Sequence, residues 1–318
     1  MIDQITFVKS GLQENEIMTI VETNHLQTNT KAGKPYYDNA DTKNLEQQRG
    51  VFIRIETTGK LKIECNLHKY HNEINGNSRT NYNLFTMAEA IPAIDSLLKE
   101  KNIHPENLRV YNYEIGLNLN VSNDCRLYLD KMQSIGAIGE EKKLYVNPRY
   151  KDERIKTTVF HRATRKYYKV YDKNFEAKDK KRTDIPDYPI LRIETVNRRV
   201  ENQTIATFFN PDYLNRLTEQ FFREWRTVQF EREVRMPQRA SYKKQNLCKQ
   251  IIELGKEKVL QDATDQNKNG TLSDKQYRSI REFIRDKWDM IKPQIQFIPS
   301  PEETEFRDLL KTYYPLLK

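Results

Sequence analysis

Period-two geometry in the segment RKYYKVYDKNFE sets Tyr167, Lys169, Tyr171 and Lys173 on one face of a strand, with Tyr168, Val170 and Asp172 on the other. A phenol therefore stands between two ammonium groups. Free tyrosine titrates near ~10, and neighbouring cations both lower that value and attract phosphate, so Lys169 and Lys173 are expected to prepare Tyr171 for attack on a phosphodiester. The same spacing also describes aromatics and lysines alternating on a solvated strand, which is the commoner meaning of such a pattern.

Two carboxylates bear on that choice. Glu114 in LRVYNYEIGLNLNV and Glu194 in ILRIETVNRR each stand on the polar face of an otherwise apolar strand. Strands that lie side by side would let the pair share one hard divalent ion, Mg²⁺ or Mn²⁺, which would polarise the scissile phosphate and stabilise the leaving oxygen. Taken singly, each glutamate reads as a sheet residue paired with Arg192 or a lysine. His68 and His71 in NLHKYHN have a spacing that suits metal only if the backbone bends out of the strand there. Lys69 is the stronger functional candidate of that stretch, and with Arg165, Lys166 and Arg192 it makes up the expected DNA-binding set.

Charge supports a polyanionic partner. Of 318 residues, 54 are Lys or Arg and 45 are Asp or Glu, which gives a formal charge of +9. The segment 151–182 alone holds twelve Lys or Arg and five Asp or Glu, so +7 of that charge is focused around the tyrosines. With 18 Tyr and 13 Phe the chain is too aromatic for a disordered basic tail. The start MIDQITFVKS lacks a basic segment followed by an apolar one, and no run of about 18 apolar residues occurs, so neither secretion nor membrane spanning is expected. Cys65, Cys125 and Cys248 are isolated and fit a reducing cytoplasm. No Walker loop, dinucleotide fingerprint or nucleophile elbow is present.

The elements that must position these residues give an α+β fold, a mostly antiparallel sheet with flanking helices and a helical C-terminal region. Residues 1–48 read as a polar, irregular N-terminal segment. A hairpin is expected over 51–67, a helix over TMAEAIPAIDSLLKEKN despite Pro92, a strand over 108–121, a second hairpin from TTVFHR and KYYKVYDK, and a strand over 190–199. Asn210 and Pro211 open an amphipathic helix, which closes an α+β domain spanning 49–235. Residues 236–318 read as helical. Within them DQNKNGTLSDKQ has calcium-loop spacing but ends in Gln276 where a bidentate Glu is needed, so it is read as a polar turn with Ser273 capping the next helix. This tail is left open as a contact for duplex origin DNA or between subunits.

In order and spacing, LKIECNLHKYHNEINGN, YNYEIGLNLNV, RKYYKVYDKNFE and LRIETVNRRVE resemble replication initiators of the filamentous-phage gene II type, and more distantly staphylococcal-type rolling-circle plasmid initiators, over roughly residues 50 to 220. The family's strand of the form aliphatic, Tyr, any, Lys, then Glu three residues on falls on Val170, Tyr171, Asp172, Lys173 and Glu176, which selects Tyr171 over Tyr167 and Tyr168. Its Arg-x-Glu strand falls on Arg192 and Glu194. Its earlier acidic strand falls on Tyr113 and Glu114, with the arginine missing. The resemblance implies a site- and strand-specific DNA nickase of a phage or plasmid that forms a phosphotyrosine at the 5′ end and leaves a 3′-hydroxyl to prime rolling-circle synthesis. By analogy the partners are origin DNA, single-stranded or supercoiled, a host helicase and polymerase, and a second subunit in a homodimer. Alternatives are a non-catalytic origin-binding initiator or regulator, and a relaxase of a mobile element.

Overall fold

The computed structural model describes residues 1–137, 139–146, 154–158, 164–200, 203–236 and 241–317. Two compact units result: Met1–Phe230 together with Glu302–Lys318, and Glu231–Pro301. The fold is α+β, with a large antiparallel sheet, flanking helices and a helical C-terminal region.

The first unit runs β1 (Ile2–Lys9), α1 (Glu14–Thr23), β2 (Gln27–Lys31), β3 (Lys34–Asp38), α2 (Thr42–Gln47), β4 (Phe52–Glu56), β5 (Lys60–Asn66), α3 (Leu67–Ile74), α4 (Met87–Glu100) and β6 (Arg109–Asn120). It continues with α5 (Cys125–Lys131), β7 (Met132–Ile135), β8 (Lys142–Lys143), β9 (Tyr145–Val146), β10 (Ile155–Thr157), β11 (Lys166–Asp172), α6 (Lys173–Asp179), β12 (Ile190–Arg198), α7 (Ile205–Phe208), α8 (Pro211–Trp225) and β13 (Gln229–Phe230). Among the described residues the main sheet has the order β2-β3-β4-β5-β1-β6-β12-β11-β10-β9.

The beginning of this domain departs from expectation. Residues 1–48 are not an irregular segment: β1 lies between β5 and β6, antiparallel to both. Register shifts against β6, between Ile2 and Ile5 and again between Thr6 and Phe7, break the strict alternation that would have announced the strand. The hairpin of β4 and β5, the helix α4 around Pro92, and the strands β6 and β12 form as expected. Residues 159–162 of the second expected hairpin lie outside the described residues.

The odd positions of β6 and their neighbours build the apolar core. Tyr113 meets Phe208 of α7 at a ring distance of 4.9 Å, and Tyr168 meets Trp225 of α8 edge-on at 5.8 Å. The indole Nε1 of Trp225 donates to Thr195 Oγ1 at 3.1 Å, so the largest buried side chain of the core leaves no polar atom unpaired. With α7 and α8 on this side of the sheet, the Glu114, Glu194 and Lys169 positions are directed to the opposite face.

The second unit comprises β14 (Glu233–Arg235), α9 (Tyr242–Leu254), α10 (Lys256–Lys268), α11 (Asp274–Glu282), a π-helical turn over Phe283–Lys287, α12 (Trp288–Ile291) and β15 (Gln296–Ile298), which pairs with β14. Its core gathers Cys248, Ile251, Val259, Phe283, Ile284, Trp288 and Ile295. The division expected at 235/236 falls near the observed one, but the last helix, α13 (Pro301–Leu317), departs from it. From Glu302 on, this helix belongs to the first unit, where Phe306 packs on Phe230 and Tyr314 on Phe222.

Candidate active site

Three neighbouring strands bring the sequence-selected residues onto one face. In β11 and β12, Lys169 stands opposite Glu194 and Tyr171 opposite Arg192; in β12 and β6, Glu194 stands opposite Gly116 and Arg192 opposite Asn118. Side chains on these positions meet because opposed residues point the same way. The Tyr171 hydroxyl donates to Glu194 Oε1 at 2.8 Å, and Arg192 Nε donates to the same oxygen at 2.6 Å. Lys169 Nζ lies 2.7 Å from Glu194 Oε2 and 3.1 Å from Glu114 Oε2, bridging the two glutamates.

Gly116 makes room for this network. A Cβ there would sit 2.4 Å from Arg192 Nη2 and 3.3 Å from Glu194 Cγ, so a side chain at this position of β6 would collide with the buried pair. Arg192 then extends over β6 to donate to Asn118 Oδ1 at 2.7 Å and to Asp3 Oδ2 at 2.5 Å. Asp3 also accepts from Asn66 at 2.6 Å and from Asn81 at 3.1 Å.

Asp3, Asn118 and Gly116 belong to this network and were not among the expected site residues. Alternation along 108–121 had already put Gly116 and Asn118 on the face of Glu114. No comparable signal existed for Asp3, because its strand was not foreseen.

The electrostatics follow from burial and pairing. Burial pushes the Glu194 carboxyl up, but Lys169 and Arg192 outweigh it and hold it at about 2. Asp3 is likewise held below the carboxylate range, burial being outweighed mainly by Arg192. Glu114 is raised by its burial, which the Lys169 charge only partly offsets. Lys169 is raised because the two glutamates outweigh its own desolvation.

Tyr171 differs from expectation. Its phenol is raised well above the ordinary value, first by burial and then by the Glu194 charge. The side chain is 8% exposed, so two flanking lysines do not leave it an activated phenolate. Lys173 does not continue the strand: Asp172 ends it by accepting from the Phe175 amide, and Lys173 opens α6. There the ammonium is buried, 3.0 Å from Glu176 Oε2 and 5.8 Å from the centroid of the Tyr171 ring. Burial and the nearby Arg192 lower its pKa.

Among the expected DNA-binding residues, Arg192 is corrected outright. It is 2% exposed and donates to Glu194, Asn118 and Asp3, so its guanidinium organises the network and has no free face for DNA. Lys166 is half-buried and paired with Glu224 of α8. Arg165, just before β11, is exposed. Lys69, capped at its amide by Asn66, is half-buried near the site, and burial together with Arg182 and Lys173 brings its pKa down to about 8.

The backbone does bend at His68 and His71, which lie on α3 rather than on a strand. Both imidazoles pack on Phe85, and His68 Nε2 is 2.9 Å from Asn83 Oδ1. Burial lowers His68 to about 3, leaving a neutral ring.

These donors do not fit a resident Mg²⁺ or Mn²⁺ in this arrangement. Glu114 and Glu194 are brought together as expected, but the ammonium of Lys169 fills the space between them, and both oxygens of Glu194 are engaged. Among the described residues no three His, Cys, Asp or Glu side chains form a metal-binding group. A divalent ion between the glutamates requires Lys169 to leave. Beside the network lies a cavity of about 220 Å³, with Asn118, Arg192, His68 and Asn83 in its lining and the exposed Tyr188 and Leu84 contributing apolar surface.

No protein-family model matches the chain, and no curated protein matches it in sequence. Among the described residues no helix is long and apolar enough to cross a membrane.

Proposed function

We propose that the protein is a DNA nickase and strand transferase that starts and ends rolling-circle replication of a phage or plasmid in the bacterial cytoplasm, with Tyr171 as nucleophile. The observation that carries this reading is the 2.8 Å hydrogen bond from a buried phenol to Glu194, a carboxylate clamped by Lys169 and Arg192. A nucleophile within hydrogen-bond reach of a base that a third group orients is the arrangement acyl- and phosphoryl-transfer enzymes use. The resemblance of the four segments to gene II-type initiators selects the same tyrosine.

In the resting state the phenol is protonated and Glu194 is a weak base. A substrate phosphate changes both by competing for Lys169. As the ammonium turns to the phosphate, Glu194 loses its strongest stabilising charge and its basicity rises toward that of an ordinary buried carboxylate. Tyr171 Oη then bonds to phosphorus, its proton passes to Glu194, and the bond from phosphorus to the 3′ oxygen breaks. The departing oxygen takes up the proton as a 3′-hydroxyl, and the 5′ phosphate remains on the tyrosine. Bond energy is kept in the phosphotyrosine, so the reverse attack by a 3′-hydroxyl reseals a strand without ATP. Arg192 acts on the reaction through Glu194, as a positioning residue.

The deep burial of Tyr171 favours a second reading, an origin-binding initiator without chemistry, in which the tyrosine only completes the network. Nicking of a supercoiled plasmid carrying the source replicon's origin separates the two. Under the first reading Tyr171→Phe abolishes nicking and keeps origin binding within about twofold, while Glu194→Gln slows nicking by the 10²–10⁴-fold typical of losing a general base. Wild-type protein that binds the origin and never nicks it supports the second.

A further inference from the structure

The cavity beside the buried network is not used by the chemistry assigned to Tyr171, and its position follows from the register. Tyr171 lies at the end of β11, where Asp172 stands opposite Leu191 near the start of β12. That start is paired with the end of β6, Ile190 opposite Asn120 and Arg192 opposite Asn118. Two strand spacings therefore separate Tyr171 from Asn118, about 10 Å along the hydrogen-bonding direction. The cavity, about 220 Å³, lies at this end of β6, with Gly116, Asn118 and Asn120 in its lining. A smaller one of about 150 Å³, beside α1, holds Lys9 already paired with Glu16 and includes none of the residues around Tyr171.

Several parts of the chain hold the walls in place. Asn118 Nδ2 donates to the carbonyls of Asn81 and Tyr82, at 2.7 and 3.1 Å, which fixes the segment that carries Leu84 and Phe85. Asn174 follows shortly after Tyr171 and donates to the carbonyls of Pro186 and Tyr188, tying down the loop that brings Tyr188 to the cavity. Tyr313 and Leu317 come from α13, which is fastened where Lys131 bonds to Glu302 at 2.6 Å. Such a cavity is formed before a ligand arrives.

The free groups describe that ligand. Most polar atoms of the lining are committed: Asn118 accepts from Arg192 and donates to two carbonyls, while Asn83 exchanges hydrogen bonds with Asn72 and bonds to His68. The amide of Asn120, exposed on the same face of β6, makes no hydrogen bond among the described residues. Rings and aliphatic chains surround it, and of these Tyr188 and Leu84 are exposed. One uncommitted amide beside aromatic faces suits a flat heterocycle with donors and acceptors on its edge. A cavity of about 150 Å³ accommodates one benzene, so this one has room for a single base and not for a stacked pair.

We propose that the cavity receives one unstacked nucleobase of the strand bound at Tyr171, with Asn120 bonding to its edge and Tyr188 stacking on its face. The inference rests on single-stranded DNA being the substrate of the Tyr171 face, and not on Tyr171 being a nucleophile. A base held there fixes the register of the strand, which backbone contacts alone do not.

The test measures the affinity of the full chain, wild type and Tyr171→Phe, for a single-stranded oligonucleotide from the source replicon's origin, with one abasic site moved through every position. One position is expected to weaken binding by about 5- to 150-fold, the range of base stacking on an aromatic side chain, and the others by less than about twofold. Tyr188→Ala should weaken binding of the intact strand by a similar factor and remove most of the penalty at that position. Asn120→Ala should keep the penalty while levelling the affinities of strands that carry each of the four bases there. Both side chains are exposed, so an unchanged thermal transition serves as the folding control.

A profile with no sensitive position, a full penalty in Tyr188→Ala, an unchanged base preference in Asn120→Ala, or no binding of the strand would overturn the proposal. A strand bound with one sensitive position and never nicked would keep the pocket and remove Tyr171 as nucleophile. Nicking with a flat profile would do the reverse.

Discussion

The polar face of β6, β12 and β11 and the outward face of α11 both collect charge, and they use it in opposite ways. On the sheet, Asp3, Glu114 and Glu194 meet Arg192 and Lys169 at hydrogen-bond distance, largely out of water. On the helix, Lys275, Arg278 and Arg281 stand in solvent beside the exposed Asp274 and Glu282, and among the described residues none of the three cations forms an ion pair. Charges in the first place shift one another's protonation and fix one another's geometry, which is what a reaction needs. Those in the second face water, where salt screens them.

The largest expected effect tests the burial half of this contrast. Arg192→Met leaves Asp3 and Glu194 buried without their common cation and should cost about 3–5 kcal/mol of stability in urea unfolding. A loss below about 1 kcal/mol would show that the network is not held by its charges.

Next comes acid sensitivity. Glu194 falls from its ordinary 4.5 to about 2 in the folded protein, so its contribution, about 3 kcal/mol, is fully present above about pH 4.5 and is lost as the pH falls through about 2. Asp3 acts in the same direction, while Glu114, raised by burial, works in the opposite sense and blunts the upper end of that window. Unfolding measured from pH 6 to pH 2 should therefore show a smaller acid loss in Glu194→Gln than in the wild type, and parallel curves would contradict the assignment.

Gly116→Ala should cost about 1–3 kcal/mol, because the Arg192 guanidinium that a Cβ would strike is bonded on several sides and cannot retreat. At the small end, Lys258→Ala breaks an exposed pair on α10 and should leave the thermal transition where it was.

How much of this was legible in the sequence depended on periodicity. The strand β6 alternates from Tyr111 to Val121 and β12 from Leu191 to Glu194, so Glu114 and Glu194 could be assigned to polar faces, and the register then set Glu194 against Lys169. The N-caps at Asn210 and Ser273 are local devices with local signatures, and both form as expected, while the reciprocal bond from the Ser273 amide to Gln276 is seen only in the structure. What periodicity could not show was long-range. Asp3 reaches Arg192 across 189 positions of chain, from a strand whose register shifts hide its alternation.

The direction of the Tyr171 shift was missed for a related reason. Spacing put two lysines beside the tyrosine, but which carboxylates those lysines would choose, and how deep the phenol would lie, depended on the fold. The aromatic and basic pattern of β11 was legible; its burial was not.

The central claim is that Tyr171 forms a covalent bond to DNA. The most direct test incubates the full chain with single-stranded DNA from the source replicon's origin, isolates any protein–oligonucleotide adduct, and maps the modified residue by mass spectrometry. The account predicts an adduct on Tyr171 that is absent from Tyr171→Phe. An adduct on Tyr167 or Tyr168, or one that persists in Tyr171→Phe, would contradict it.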